Sequence, residues 1–177
     1  MRIHCLLLLL SLLSQTELFG QSVDRHNPSE WKEHVVKAGR FAVLLPYNDD
    51  SPEYFEAYLT MPSGNSAAKI PAHRFGGSEG DVMYMADYCD LPADLSKRIL
   101  ADIKTDLEKD PTATYKSISI DSHPGLEFEA HGPRGLEIGR VYLVGQRLYS
   151  LFVSRPENTT APNNTGRFLA SFRLLSR

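Results

Sequence analysis

The chain has 177 residues and a mass of 19.8 kDa, with 42% hydrophobic and 23% charged residues, a balance that excludes a wholly disordered or fibrous protein. With residues 1–20 set aside as a leader, about 157 remain, which suits one domain and is too few for a TIM barrel or an α/β-hydrolase of usual size. The net charge of −3 supplies no broad attraction to nucleic acid or anionic lipid.

Met1-Arg2-Ile3-His4 gives a short basic start, Cys5 to Leu13 is a nearly unbroken apolar run, and Leu18-Phe19-Gly20 offers a small residue at the cut. The pattern predicts a signal peptide over residues 1–20 and a single mature domain over 21–177. The run is shorter than the ~20 apolar residues that a stable membrane anchor needs, so export with cleavage is expected, to the periplasm or the exterior, with no stable membrane anchor. Cys5 leaves with the leader. Cys89 then stands alone, so no internal disulfide forms.

In the mature chain, Trp31 followed by residues 39–46 (GRFAVLLP) reads as a first strand bounded by Gly and Pro. Residues 54–61 alternate, with Phe55, Ala57, Leu59 and Met61 on one face, as a half-buried strand does. Residues 62–81, rich in Gly, Pro and Ser, show no hydrophobic period and read as a long connection. Residues 82–89 resume a strand that Leu91-Pro92 stops. From Asp94 the period changes: Leu95, Ile99, Ile103 and Leu107 recur every fourth residue, predicting an amphipathic helix over 94–109 that Asp110-Pro111 ends.

Four strand-like segments follow, at 115–121, 125–131, 136–144 and 147–154. Gly145-Gln146 suits a tight turn with Gly at positive φ, and Gly132-Pro133-Arg134-Gly135 a longer one, so hairpins and an antiparallel sheet are expected. Residues 156–164 read as an exposed loop. Thr165 then caps a second helix carrying Phe168, Leu169, Phe172 and Leu175 on one side.

Trp31, residues 39–46, His123-Pro124-Gly125-Leu126-Glu127-Phe128, residues 140–149 (RVYLVGQRLY) and residues 168–174 (FLASFRL) resemble, in that order, a group of uncharacterised exported bacterial domains. The order of elements is similar to the PsbP-like fold. That resemblance implies an α+β domain with an antiparallel sheet of six or seven strands packed against two helices, and a binding or accessory role. It carries no catalytic, cofactor or metal residues over to this chain.

Several residue groups are chemically suggestive. Gly76-Gly77-Ser78-Glu79-Gly80 matches G-x-S-x-G, but a nucleophilic Ser78 needs a strand-to-helix turn and a strand is expected to follow. Cys89 could pair with His123 or His131 as thiolate and imidazole, yet it shares a strand face with Met83 and Met85 and reads as a small core residue. Asp121, His123, Glu127, Glu129 and His131 can ligate a cation, but no metal signature is present, and Glu127, Glu129 and His131 read as the solvated face opposite Leu126, Phe128 and Ala130. His131 and Arg134 flank a Gly-containing turn that could hold an anion. Tyr47, Tyr54, Tyr58, Tyr84 and Tyr88 are either an interface patch or ordinary strand residues. Asn158-Thr159-Thr160 and Asn163-Asn164-Thr165 fit the glycosylation acceptor pattern, which matters where the source glycosylates secreted proteins.

The reading that follows is an exported binding or accessory module without catalytic, cofactor or metal residues. Its contact surface is placed on residues 62–81 and 131–135, and its partner is a cell-envelope or extracellular protein rather than nucleic acid. The alternatives are a carrier of a small apolar ligand in a sheet-helix cleft, and a small hydrolase using Ser78 or Cys89.

Overall fold

The computed structural model describes residues 30–47, 53–63, 66–132 and 134–176. The leader expected over residues 1–20, with Cys5, lies outside the described residues, as do Pro133 and the side chains of Tyr54 and Tyr58.

The chain builds two antiparallel sheets. β1 (Glu30–Val36) and β2 (Phe41–Tyr47) form a hairpin, and β10 (Arg173–Leu174) adds to the other side of β2. The larger sheet has seven strands in the order β3 (Glu53–Ser63), β4 (Ser66–Glu79), β5 (Val82–Asp90), β9 (Arg147–Arg155), β8 (Gly135–Val144), β7 (His123–Gly132) and β6 (Thr114–Ile120). The helical segments are α1 (Ala93–Ser96), α2 (Ile99–Lys109) and α3 (Thr165–Ser171). An α+β fold with a seven-stranded antiparallel sheet agrees with the expectation; the second, three-stranded sheet is new. Among the described residues no helix is long and apolar enough to cross a membrane.

Both faces of the large sheet are covered. On one, Phe41, Val43 and Leu45 of β2 and Phe168, Leu169 and Phe172 from the C-terminal segment pack on Tyr84, Tyr88, Tyr149, Leu151 and Val153. Phe41 anchors this layer, with ring centroids 5.5 to 6.1 Å from Phe75, Tyr88, Tyr149 and Phe172, in the range where aromatic pairs attract. The Tyr149 hydroxyl donates to the Gly39 carbonyl at 2.7 Å, tying the sheets together. At Gly77 a Cβ would overlap the Pro46 carbonyl of β2, so the close approach of the two sheets needs glycine there. On the other face, Leu95, Ile99, Ile103 and Leu107 pack on Ile70, Cys89, Leu126, Phe128, Val141 and Leu148. The two helical covers therefore lie on opposite faces of the sheet.

Several expectations need correction. Residues 62–81 are not a long connection: most of them are β4, a 14-residue strand paired with β3 over its first part and with β5 over its last. Its helix-side positions are Ile70, Ala72, Arg74 and Gly76, so small and charged residues hide the alternation that a strand usually shows. Trp31 belongs to β1, separate from the strand at 41–47. The helix expected over 94–109 is broken, because Arg98 leaves helical geometry at φ −121, although Leu95, Ile99, Ile103 and Leu107 stay buried. Asp110 is extended, as a residue before proline must be, and ends α2. The C-terminal helix stops at Ser171: Phe172 turns to ψ 130 and stacks on Tyr142 at 5.7 Å, and Arg173 and Leu174 pair with Ala42 and Phe41. Thr165 is not its cap, since its Oγ1 is buried without a hydrogen bond while its amide donates to Asn163 Oδ1.

The hairpin turns at the β6 to β9 end behave as expected. Gly145 has φ 64, and in the hairpin between β6 and β7 Asp121 and Ser122 are both at positive φ, which suits a two-residue hairpin loop.

Candidate functional site

Strand register sorts the suggestive side chains by face. Ser78 lies inside β4 opposite Met83, not on a strand-to-helix turn. The rest of its motif anchors the C-terminal loop: Glu79 is 8% exposed and accepts from Asn164 Nδ2 at 2.7 Å, and Asp81 accepts from the Thr159 hydroxyl. Ser78 and Cys89 both belong to the helix-side face. His73, His123 and His131 belong to the opposite one, where His73 stacks on Tyr88 at 4.6 Å. Cys89 and His123 are also three strands apart, about 14 Å at ~4.8 Å per strand. No described histidine thus shares a sheet face with either candidate nucleophile.

Cys89 is 4% exposed, and its thiol is pushed up to about 12 by burial, then by Asp87 and Asp90, with Arg147 opposing. The thiolate is the reactive form, so its population at pH 8 is about a thousand-fold below that of a free cysteine. Folded protein is accordingly expected to resist iodoacetamide at about pH 8 and to take up one equivalent at Cys89 once unfolded in urea. Labelling of Cys89 in the native chain at a free-thiol rate would contradict this.

Within the set around β7, Glu127 is engaged in ion pairs. Glu127 takes Lys116 and Arg140, each at 2.6 Å, and Arg140 also donates to the Leu169 carbonyl of α3 at 3.0 Å. Lys116, then Arg140, hold the Glu127 carboxyl below its usual value against the opposing effect of burial. His131 sits 3.4 Å from Glu157. Among the described residues no group of three or more His, Cys, Asp and Glu side chains is placed to hold a metal ion. Leu126, Phe128 and Ala130 are buried on the opposite side of β7, as the alternation required.

Tyr84 and Tyr88 are core residues rather than an interface patch, and Lys32 sits 3.6 Å from the centroid of the Tyr47 ring. Of the acceptor asparagines, Asn158 and Asn163 are both exposed, and the second is engaged by the Thr165 amide at 3.3 Å.

The unusual chemistry lies elsewhere, on the helix-side face toward the β7–β8 tip. One row across the sheet reads Ser78, Met83, Ser154, Glu137 and Ala130; the next reads Gly76, Met85, Phe152, Gly139 and Phe128. Glu137 is 1% exposed and its Oε1 has no hydrogen-bond partner. Its carboxyl rests against Gly132, where a Cβ would overlap it, so the β7–β8 tip needs glycine to admit the acid. Burial pushes the Glu137 carboxyl up to about 7, with Arg134 opposing. From the same tip, Arg134 reaches across the sheet and donates from Nη1 to Met83 Sδ at 3.8 Å. Burial lowers the Arg134 value, Glu137 raises it, and Arg74 lowers it further.

Arg74 brings the two expected contact segments together, since it belongs to residues 62–81 and its charge acts on the 131–135 tip. It is 9% exposed and fully engaged with Asp87 through Nε at 2.9 Å and Nη2 at 2.7 Å. Burial works against its charge, but Asp87 more than offsets it.

Nothing known is close enough to name this arrangement. No protein family, no curated protein and no solved structure matches the chain.

Sequence reading had singled out Arg134 and missed Glu137, Arg74 and Asp87. A signal for Glu137 was present: residues 141–144 (VYLV) form an unbroken apolar run, the mark of a strand covered on both faces, and an acid earlier on that strand then has no solvent side.

Proposed function

We propose that this chain is an exported binding or accessory module, PsbP-like in architecture, that acts in the periplasm or outside the cell and performs no chemistry of its own. The observation carrying this reading is the helix-side corner formed by Arg134, Glu137, Met83 and Phe152. There a buried acid without a hydrogen bond at Oε1 and a guanidinium donating to a thioether adjoin partly exposed apolar side chains. Buried polar atoms are nearly always paired, so an exception calls for an explanation, and a ligand is one. The placement of Ser78 and Cys89 on the sheet face opposite His73, His123 and His131 weighs against the hydrolase alternative.

The same corner favours the carrier alternative over a broad protein interface, because its polar groups are few, convergent and set in apolar surroundings. The test is expression in an exporting host, with N-terminal sequencing of the extracytoplasmic product and treatment of folded protein with fluorophosphonate and iodoacetamide probes. The expected result is a chain beginning at Gln21 that neither probe labels. Retention in the cytosol with the leader intact, or labelling of Ser78 or Cys89 in the folded protein, would overturn the proposal.

A further inference from the structure

Resting on the binding-module reading, we propose that the Arg134–Glu137 corner binds a small organic carboxylate with an apolar tail. The carboxylate head sits between the Arg134 guanidinium and the Glu137 carboxyl, and the tail lies along Met83, Met85 and Phe152.

Glu137 faces Ser154 and Ala130 across its two ladders, and its Oε1 is paired with neither. An unpaired polar atom at this depth is destabilising, so a ligand that supplies the missing partner gains that energy on binding. Arg134 has five N–H donors, and the acceptor it reaches is a thioether sulfur, which is weak. No carboxylate among the described residues forms an ion pair with it. A ligand carboxylate replaces that N–H···S contact with charge-assisted bonds of the bidentate kind.

Charge selects an anion. Arg134 from the tip is the charged group that acts on Glu137, and the Arg74–Asp87 pair of β4 and β5, which stands on the same sheet face, acts on Arg134 through Arg74. Arg74 and Asp87 neutralise each other, which leaves one guanidinium and one carboxyl to meet the ligand. A ligand cation would sit against Arg134. A carboxylate accepts from Arg134 and shares the proton that the protonated Glu137 carboxyl carries. Because burial pushes the Glu137 carboxyl up to about 7, that proton is present on most molecules at pH 6 and on about half at pH 7.

The tail follows from register. Met83 stands two strands from Glu137, about 10 Å away at ~4.8 Å per strand. Met85 and Phe152 flank it in the next row, on the way to the helix-covered half. Met83 and Phe152 remain partly exposed and so are open to contact. Methionine side chains adapt to irregular apolar shapes, which suits a flexible chain better than a fixed ring system.

The test is titration calorimetry of the protein after leader removal with octanoate, octanamide and octylammonium at about pH 6, 7 and 8. Octanoate is expected to bind at pH 6 and about ten-fold more weakly at pH 8, the change that follows if only the protonated site is competent. Octanamide and octylammonium are expected to bind at least roughly ten-fold more weakly than octanoate at pH 6. Arg134→Gln should lose octanoate binding with its circular dichroism unchanged, and Glu137→Gln should keep binding but lose the pH dependence. The proposal is overturned if octanoate fails to bind folded protein, if octanamide equals it, if affinity rises with pH, or if Arg134→Gln binds undiminished. Those outcomes leave export and the absence of probe labelling untouched, so they separate failure of this site from failure of the module reading.

Discussion

Glu137→Gln is expected to raise the free energy of unfolding by about 3 kcal/mol at about pH 8 and to change it little at about pH 4. In the unfolded chain the carboxyl titrates at its ordinary value of 4.5, and in the folded protein burial moves it up to about 7. Between those values the native state holds a proton that the unfolded state has released, so stability falls as pH rises through the window and is flat above it. Glutamine is neutral throughout and escapes the loss. The orphan Oε1 does not spoil the comparison, because the protonated acid and the amide leave much the same atom unpaired. Glu127 titrates in the opposite sense, since Lys116 and Arg140 lower its value, so its effect appears below 4.5 and is shared by both proteins. For a domain of this size the change at pH 8 corresponds to a Tm increase of roughly 6 to 12 °C. Paired urea melts at the two pH values measure it. Equal differences at both would mean that the acid is hydrated or paired in solution.

The contrast between Glu137 and its surroundings shows where sequence stops being informative. Segments whose apolar residues follow one period were legible: β7, with Leu126, Phe128 and Ala130 inward, and the Leu95, Ile99, Ile103, Leu107 series of the helical cover. The turn at Gly145 and the stop at Asp110-Pro111 were equally plain, because local backbone preferences set them. β4 was invisible for the opposite reason. Its buried positions include Arg74 and Gly76, which only make sense once Asp87 is known to stand opposite the first and the Met85 side chain to lie beside the second. β1, with one fully buried residue in seven, looked like a polar lead-in because its pairing to β2, not its side chains, makes it a strand. The candidate site shares this dependence on distant partners. Glu137 is unremarkable in sequence and becomes a buried acid only when Arg134 and Gly132 define the space around it.

Asp87→Ala is expected to destabilise the fold by about 3–5 kcal/mol, whereas the pair Arg74→Met with Asp87→Leu should fall within roughly 1 kcal/mol of the parent or above it. The two side chains are direct cross-strand partners, 11% and 12% exposed, joined by two short hydrogen bonds. Removing the acid alone takes from the guanidinium the charge that offsets burial in surroundings that work against its own. Removing both exchanges two desolvated ions for apolar groups of similar volume, beside Ala72 and Gly76 on β4. A double-mutant cycle by chemical denaturation isolates the coupling, and a loss below about 1 kcal/mol for Asp87→Ala would place the pair among solvent-screened surface contacts. If the double variant is as stable as the parent, folding does not require the pair. Its remaining role is then electrostatic: Arg74 acts on Arg134, and neutralising Arg74 and Asp87 together leaves the guanidinium and carboxyl at the β7–β8 tip to set the charge of that corner alone.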